Sequence, residues 1–310
     1  MTPPPTTPPS ALRGWFIALL AFASATLTPA LADAASGKLT FQSGGQTRSA
    51  FVIEQQRLKR GARATLIILH GGSGSGMRTR RTLGLEDVIR SQGVAVVYPD
   101  AIDGHWDLSD KGAQRETQMV RDLIRKLVDE RISDRKRIYL LGLSTGGMVA
   151  LRYACEYADT LAAGGALIAA MPEGLAASCK PSRPLPFLFL AGTANPYLPY
   201  GGGPANLRDF KGVVASIAAS LAPFKTAAGC GDVAKSTTFP DRDPNDQSHV
   251  VLDTFKDCKV PIEFIHVEGG GHTIPGRWRG PTDRGIAPGV HNNDVDASRL
   301  IWDFLKRAGA

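Results

Sequence analysis

The 310-residue chain is 43% hydrophobic and 21% charged, a balance that suits one large globular core with no need of a second domain. Its formal charge of +7 is dispersed, with no Lys/Arg run denser than short pieces such as Arg78 to Arg81 and Arg131 to Lys136, which argues against a nucleic-acid partner. The four cysteines, Cys155, Cys179, Cys230 and Cys258, lack the CxxC spacing of a zinc or redox site.

In chain order, a proline-rich start leads to Arg13, an apolar stretch from Trp15 to Leu27, and Ala30-Leu31-Ala32. This pattern predicts a signal peptide over residues 1–32, cleaved after Ala32. The apolar stretch is shorter than the roughly 20 residues that span a bilayer. Processing removes one positive charge, Arg13, and leaves a mildly basic domain over 33–310 without a membrane span. Export makes an even number of cysteines read as two disulfides, and sequence-local pairing, Cys155 with Cys179 and Cys230 with Cys258, is the favoured of three connectivities.

Lys38 to Glu54 alternates around Ser43-Gly44-Gly45-Gln46, the pattern of an antiparallel hairpin. Continuous apolar runs follow at 64–69, 94–98, 138–143, 165–168, 187–191 and 262–267. Between and after them lie helical patterns at 82–91, 116–130, 146–157, 213–221 and 296–307. Strands buried on both faces and alternating with helices predict an α/β class fold with a mostly parallel, doubly wound sheet. Two stretches rich in Gly, Pro, Asp and Asn, 229–247 and 276–293, read as long irregular loops of the kind that form lids or substrate walls.

The run 138–143 breaks into Gly142-Leu143-Ser144-Thr145-Gly146-Gly147, and a helical pattern begins there. Strand, GxSxG and helix in that order make a nucleophile elbow, in which a strained turn aims the central serine outward and admits only very small neighbours. A serine hydroxyl needs a base, and the expected chain order puts a histidine after the last strand. His272 in Gly269-Gly270-Gly271-His272-Thr273 fits. His266 falls within a strand, and His105, His249 and His291 fall in loops, where satisfied or solvated roles suffice. Leu69-His70-Gly71-Gly72-Ser73-Gly74 matches the HGG loop that gives an oxyanion donor. The oxyanion donors are then the backbone N–H groups of Thr145 and Gly72, with Ser73 as a substitute for Gly72, and the His70 ring fixes the loop.

Leu69-His70-Gly71-Gly72, Tyr98-Pro99-Asp100, Asp103-Gly104-His105-Trp106, the elbow, Gly192-Thr193-Ala194-Asn195-Pro196-Tyr197-Leu198-Pro199-Tyr200 and Gly269 to Thr273 together resemble the polyhydroxybutyrate depolymerase and feruloyl esterase family of secreted α/β-hydrolases. The resemblance runs from the hairpin to the closing helix. It implies the α/β-hydrolase fold and hydrolysis of carboxylic esters through an acyl-enzyme on Ser144, with no metal and no organic cofactor. It also implies a secreted or periplasmic location and a small-molecule or oligomeric ester substrate, of feruloyl or hydroxyalkanoate type. Small or soluble esters are favoured, since no adsorption domain is seen. Trp106, Trp278, Tyr197 and Tyr200 are expected in loops near the site.

One position departs from the family pattern. Where similar proteins carry the triad aspartate, this chain has Asn195, which can accept a hydrogen bond from the histidine but carries no charge to stabilise an imidazolium. Three outcomes stay open: Asn195 serves as the third member, a carboxylate from Glu173, Asp241, Asp243 or Asp246 replaces it, or the site is impaired and the protein is an envelope binding protein on a hydrolase fold.

Overall fold

In the computed structural model the chain divides into two units, Met1–Ala32 and Asp33–Ala310. The structure describes residues 1–5, 35–54, 63–89, 92–276 and 288–310. The apolar core and cleavage region of the expected signal peptide lie outside them, as does Trp278.

Strands β1 (Ala35–Ser43) and β2 (Gln46–Glu54) pair antiparallel, with Ser43 opposite Gln46 across the turn. Gly44 and Gly45 both have positive φ, +57° and +77°. A two-residue turn needs that conformation to match strand twist, and glycine adopts it without a Cβ clash. Then come β3 (Thr65–Leu69), α1 (Gly76–Leu83), α2 (Leu85–Ile89), β4 (Ala95–Pro99), α3 (Asp110–Asp129), β5 (Ile138–Leu143), α4 (Ser144–Glu156), β6 (Ala163–Leu167), α5 (Glu173–Ser178) and β7 (Phe187–Gly192). After the small pair β8 (Gly203–Pro204) and β9 (Val213–Val214) follow α6 (Ile217–Ala228), β10 (Val233–Thr238), β11 (His249–Phe255), β12 (Ile262–Glu268) and α7 (Ala297–Arg307).

The large sheet runs β1-β2-β4-β3-β5-β6-β7-β12-β11-β10. The six strands from β4 to β12 are parallel, and an antiparallel pair flanks them at each edge. Every residue of β3 to β7 is buried, because helices cover both faces and each side chain has an apolar layer to enter whichever way it points. β3 shows the division: Ile67 and Leu69 join the layer of Met119, Leu123, Met148 and Phe224 under α3, α4 and α6, while Leu66 and Ile68 join Leu85, Ile301, Phe304 and Leu305 under α2 and α7. The mostly parallel, doubly wound sheet expected from the strand and helix rhythm is thus present, N-terminal hairpin included, in the α/β-hydrolase arrangement that the resemblance implied.

Several expected segments are corrected. The helix expected over 82–91 is two helices, divided where Gly84 adopts φ +56° and caps α1. The helix expected at 213–221 starts later, because Val213 and Val214 belong to β9 and Ser216 caps α6 by accepting from the Ala219 N–H. The stretch 229–247 is not wholly irregular, since it contains β10, and His249 opens β11 instead of lying in a loop.

Both cysteine pairs form disulfides, Cys155–Cys179 and Cys230–Cys258. The first ties the end of α4 to the residue after α5. The second ties the chain after α6 to the β11–β12 turn. Sequence separations of 24 and 28 correspond to about 3 kcal/mol each in a chain-entropy account.

Candidate active site

The turn from β5 into α4 places Ser144 at the carboxyl edge of the central strand with φ +50°. Left-handed backbone at a non-glycine residue costs of order 1–3 kcal/mol, and here β5 and α4 hold it from either side. The flanking glycines answer to measurable crowding: a Cβ on Gly142 would strike the Gly146 carbonyl, and a Cβ on Gly146 would strike the His70 carbonyl. No side chain caps the N-terminus of α4, so N–H groups of its first turn lack an intrahelical acceptor at the positive end of the helix dipole.

His272 lies after β12, where Gly269 at φ +71° turns the chain. Its Nε2 is 2.9 Å from Ser144 Oγ. The ring is 8% exposed and meets Tyr197 edge-on, with centroids 5.0 Å apart. Burial alone pushes its pKa down to about 3. That single cause is informative, because a nearby carboxylate would oppose it by favouring the imidazolium. Among the described residues none does so. Glu173 is exposed at the start of α5, Asp241 faces His249 at 3.6 Å, Asp243 accepts from the Asn245 N–H, and Asp246 accepts from Ser248.

The group beside the far nitrogen is Asn195, with Oδ1 3.1 Å and Nδ2 3.0 Å from His272 Nδ1. Its Oδ1 also accepts from the Tyr197 and Leu198 backbone N–H groups at 3.0 and 3.1 Å. Two arrangements of one imidazole proton are therefore available. With the proton on Nδ1, it is donated to Asn195 Oδ1 and Nε2 is free to act on Ser144. With the proton on Nε2, the Asn195 NH₂ donates to Nδ1 and the basic nitrogen faces the wrong way. A carboxylate would allow only the first.

The HGG loop is braced from behind. His70 Nε2 accepts from the Ala101 N–H at 3.0 Å, which puts the ring proton on Nδ1, where it is donated to the Gly71 carbonyl at 2.6 Å. Both nitrogens are engaged, and burial lowers the pKa. Trp106 Nε1 donates to the His70 carbonyl at 2.7 Å, and the two rings stand 4.7 Å apart. Trp106, expected near the site, is thus a 2% exposed prop behind it. Tyr200 stacks on Phe264, and Tyr197 lines the pocket.

A pocket of about 120 Å³ opens on Ser144 and His272, bounded by the 71–74 loop, Thr79 and Thr82 of α1, Ile168, Leu207 and Pro288. The wall also holds Asp209, which no motif in the sequence signalled. One carboxylate oxygen is 2.9 Å from His105 Nδ1, and the side chain is 9% exposed. The other oxygen lies where a side chain on residue 72 would go: a Cβ there would collide with Asp209 Oδ2 and stand 3.5 Å from Thr145 Oγ1. His105, read as a satisfied or solvated loop histidine, is half exposed and touches the site wall only through Asp209. Among the described residues, no group of His, Cys, Asp or Glu could hold a metal ion, and no helix is long and apolar enough to cross a membrane.

Residues 66–279 match the family model described as the alpha/beta hydrolase family, and the chain belongs to that family. It is 29% identical over 69% of its length to the "Putative esterase NocK" of Nocardia uniformis subsp. tsuyamanensis, of which it covers 66%. It is 27% identical over 51% of its length to feruloyl esterase B of Piromyces equi, of which it covers 28%. The chain thus spans less than two thirds of either relative. Among solved structures, the acetyl xylan esterase from Aspergillus awamori superposes with a TM-score of 0.59 at 12% identity, over 77% of this chain and 94% of that one, a likeness of fold.

Proposed function

We propose that this protein is an exported serine esterase in which Ser144 is the nucleophile and His272 the base. The observation that carries the reading is the 2.9 Å approach of Ser144 Oγ to His272 Nε2 at the floor of a pocket. His272 takes the hydroxyl proton as Oγ attacks the ester carbonyl. The N–H groups of Thr145 and Gly72 receive the oxyanion, the histidine returns the proton to the departing alcohol, and water repeats the sequence on the acyl-enzyme. Asn195 serves as a neutral third member that orients the ring.

Feruloyl esterase B among the relatives and the residue pattern both support carboxylic esters. The open pocket of about 120 Å³ beside Ser144 would receive the acyl group. Two disulfides and the sequence pattern of residues 1–32 support export to the periplasm or beyond, with no metal or organic cofactor in the proposed reaction. Turnover of 4-nitrophenyl butyrate, a feruloyl ester and a hydroxybutyrate dimer by the mature chain tests the proposal. The expected result is hydrolysis of at least one, abolished in both Ser144→Ala and His272→Ala.

One observation favours a second reading. Asn195 can lock the histidine in its unproductive tautomer, and a protein so arrested would bind esters without turning them over. Binding of an ester with no hydrolysis would establish that reading in place of the first.

A further inference from the structure

The pocket beside Ser144 carries charge that the proposed chemistry leaves unused. Acyl transfer by Ser144 and His272 needs a base, donors for the oxyanion and room for the substrate, and it needs no further cation. Yet Arg78, from α1, and Arg208, from the loop between β8 and β9, both line the pocket that Ser144 and His272 share. Both arginines are exposed, so they stand at its mouth and not on its floor.

Several arginines elsewhere are held by carboxylates. Arg48 pairs with Glu116 at 2.8 Å, Arg80 with Glu86 at 2.8 Å, Arg152 with Glu156 at 3.0 Å and Arg307 with Glu263 at 2.9 Å. Among the described residues neither Arg78 nor Arg208 has such a partner. Arg78 donates from Nη1 to the Ser73 carbonyl at 3.2 Å, which fixes its guanidinium beside the 71–74 loop and leaves Nε and Nη2 open. The Arg208 side chain makes no hydrogen bond within the described chain. A guanidinium offers five N–H donors in a planar fork that fits the two oxygens of a carboxylate.

The other charges of the lining do not cancel this one. Asp209 is committed to the wall, with Oδ1 2.9 Å from His105 Nδ1 and the side chain 9% exposed. His272 is neutral at neutral pH, since burial holds it down to about 3. Two arginines against one aspartate leave the lining a single positive charge in excess, the complement of a monoanion.

We infer that Arg78 and Arg208 are specificity-determining residues that favour esters carrying a free carboxylate besides the ester group. The inference rests on the esterase reading and deepens it. The carboxylate can belong to the acyl side, as in the monoester of a dicarboxylic acid, or to the alcohol side, as in an acylated hydroxybenzoate. The recognition chemistry is the same for both.

The test compares kcat/KM within two isosteric pairs, monoethyl adipate against ethyl adipamate, and 4-acetoxybenzoate against 4-acetoxybenzamide. In each pair a carboxylate stands where its partner has a neutral amide of the same shape. At low ionic strength the wild-type protein should prefer the charged member of at least one pair by about fivefold or more, the scale of two partly exposed charge contacts. The pair that shows it identifies the side. The preference should fall toward one as salt rises from about 0.01 M to about 1 M, because screening shortens the reach of a charge from about 30 Å to about 3 Å. Arg208→Gln should at least halve the ratio, and adding Arg78→Gln should bring it close to one. The ratio is the readout because a shifted loop or a weakened fold changes both members of a pair alike, and the salt series needs no variant. A wild-type ratio near one in both pairs overturns the inference, as does a preference that persists at high salt or survives the double variant. Absence of turnover on all four esters overturns the esterase reading and this inference with it, whereas turnover without discrimination overturns this inference alone.

Discussion

Asn195→Asp is the substitution whose effect the site geometry constrains most tightly. Burial lowers the pKa of His272 from 6.5 to about 3, so forming the imidazolium in the folded site costs about 5 kcal/mol more than in water. A carboxylate at residue 195 would occupy the place of an amide whose atoms lie 3.0 and 3.1 Å from Nδ1. Unit charges about 4 Å apart attract by about 4 kcal/mol at an effective dielectric near 20, enough to offset most of that cost. The new oxygens would keep the Tyr197 and Leu198 N–H donors and would accept from Nδ1–H alone, removing the unproductive tautomer. The reverse change in a serine protease lowers turnover about 10⁴-fold, which sets a ceiling. Steady-state hydrolysis of 4-nitrophenyl butyrate should show kcat raised by about 10²-fold or more with KM little changed. The pH profile should move too. In the wild type the base is neutral down to about pH 4, so kcat/KM stays flat from pH 8 to 5; the added carboxylate raises the pKa, and an acid limb enters that range. A folded Asn195→Asp protein with unchanged turnover and an unchanged profile would refute the reasoning.

Other outcomes follow from the same geometry. Glu173→Gln should leave turnover within about twofold of wild type, since Glu173 is exposed and does not act on His272; a collapse would mean that it supplies the missing charge. Gly72→Ala should push the Asp209 carboxylate aside, since the added Cβ would strike its Oδ2, and should lower kcat by at most about 10²-fold, the scale of losing one oxyanion donor. Denaturant titrations should show stability falling with acid: His272 is depressed to about 3 in the folded protein, so its contribution is complete above pH 6.5 and is lost as pH falls toward 3. From pH 6.5 to 5 that amounts to about 2 kcal/mol, with the depressed His70 adding in the same direction, and His272→Gln should flatten the slope. Replacing both Cys230 and Cys258 with serine should cost about 2–4 kcal/mol in the same titrations, with no change expected in the Ser144–His272 pairing.

What the sequence disclosed is what backbone geometry leaves written in residue types. The elbow glycines and the glycines before His272 are required locally by close backbone approach or positive φ, so Ser144 and His272 could be read without a fold. The central strands showed as unbroken apolar runs because helices bury both their faces. β10 was not legible for the opposite reason: Val233, Ala234, Lys235, Ser236 and Thr238 are exposed at the sheet edge, and an edge strand with little to bury carries no apolar period. Asp209 was hidden in another way. Its charge and its neighbours in sequence are ordinary, and its place in the pocket arises only when the 205–210 segment meets Gly72 and His105 in three dimensions. The absent side chain of Gly72 was visible in the sequence, but the carboxylate that fills its space was not.

The central claim is that Ser144 is a nucleophile activated by His272. Labelling with a fluorophosphonate, followed by intact-mass measurement and peptide mapping, tests it most directly. The account predicts one covalent adduct, located on Ser144 and lost in His272→Ala. An unlabelled wild-type protein, under conditions that fully label a control esterase, would contradict it, as would an adduct on any other residue.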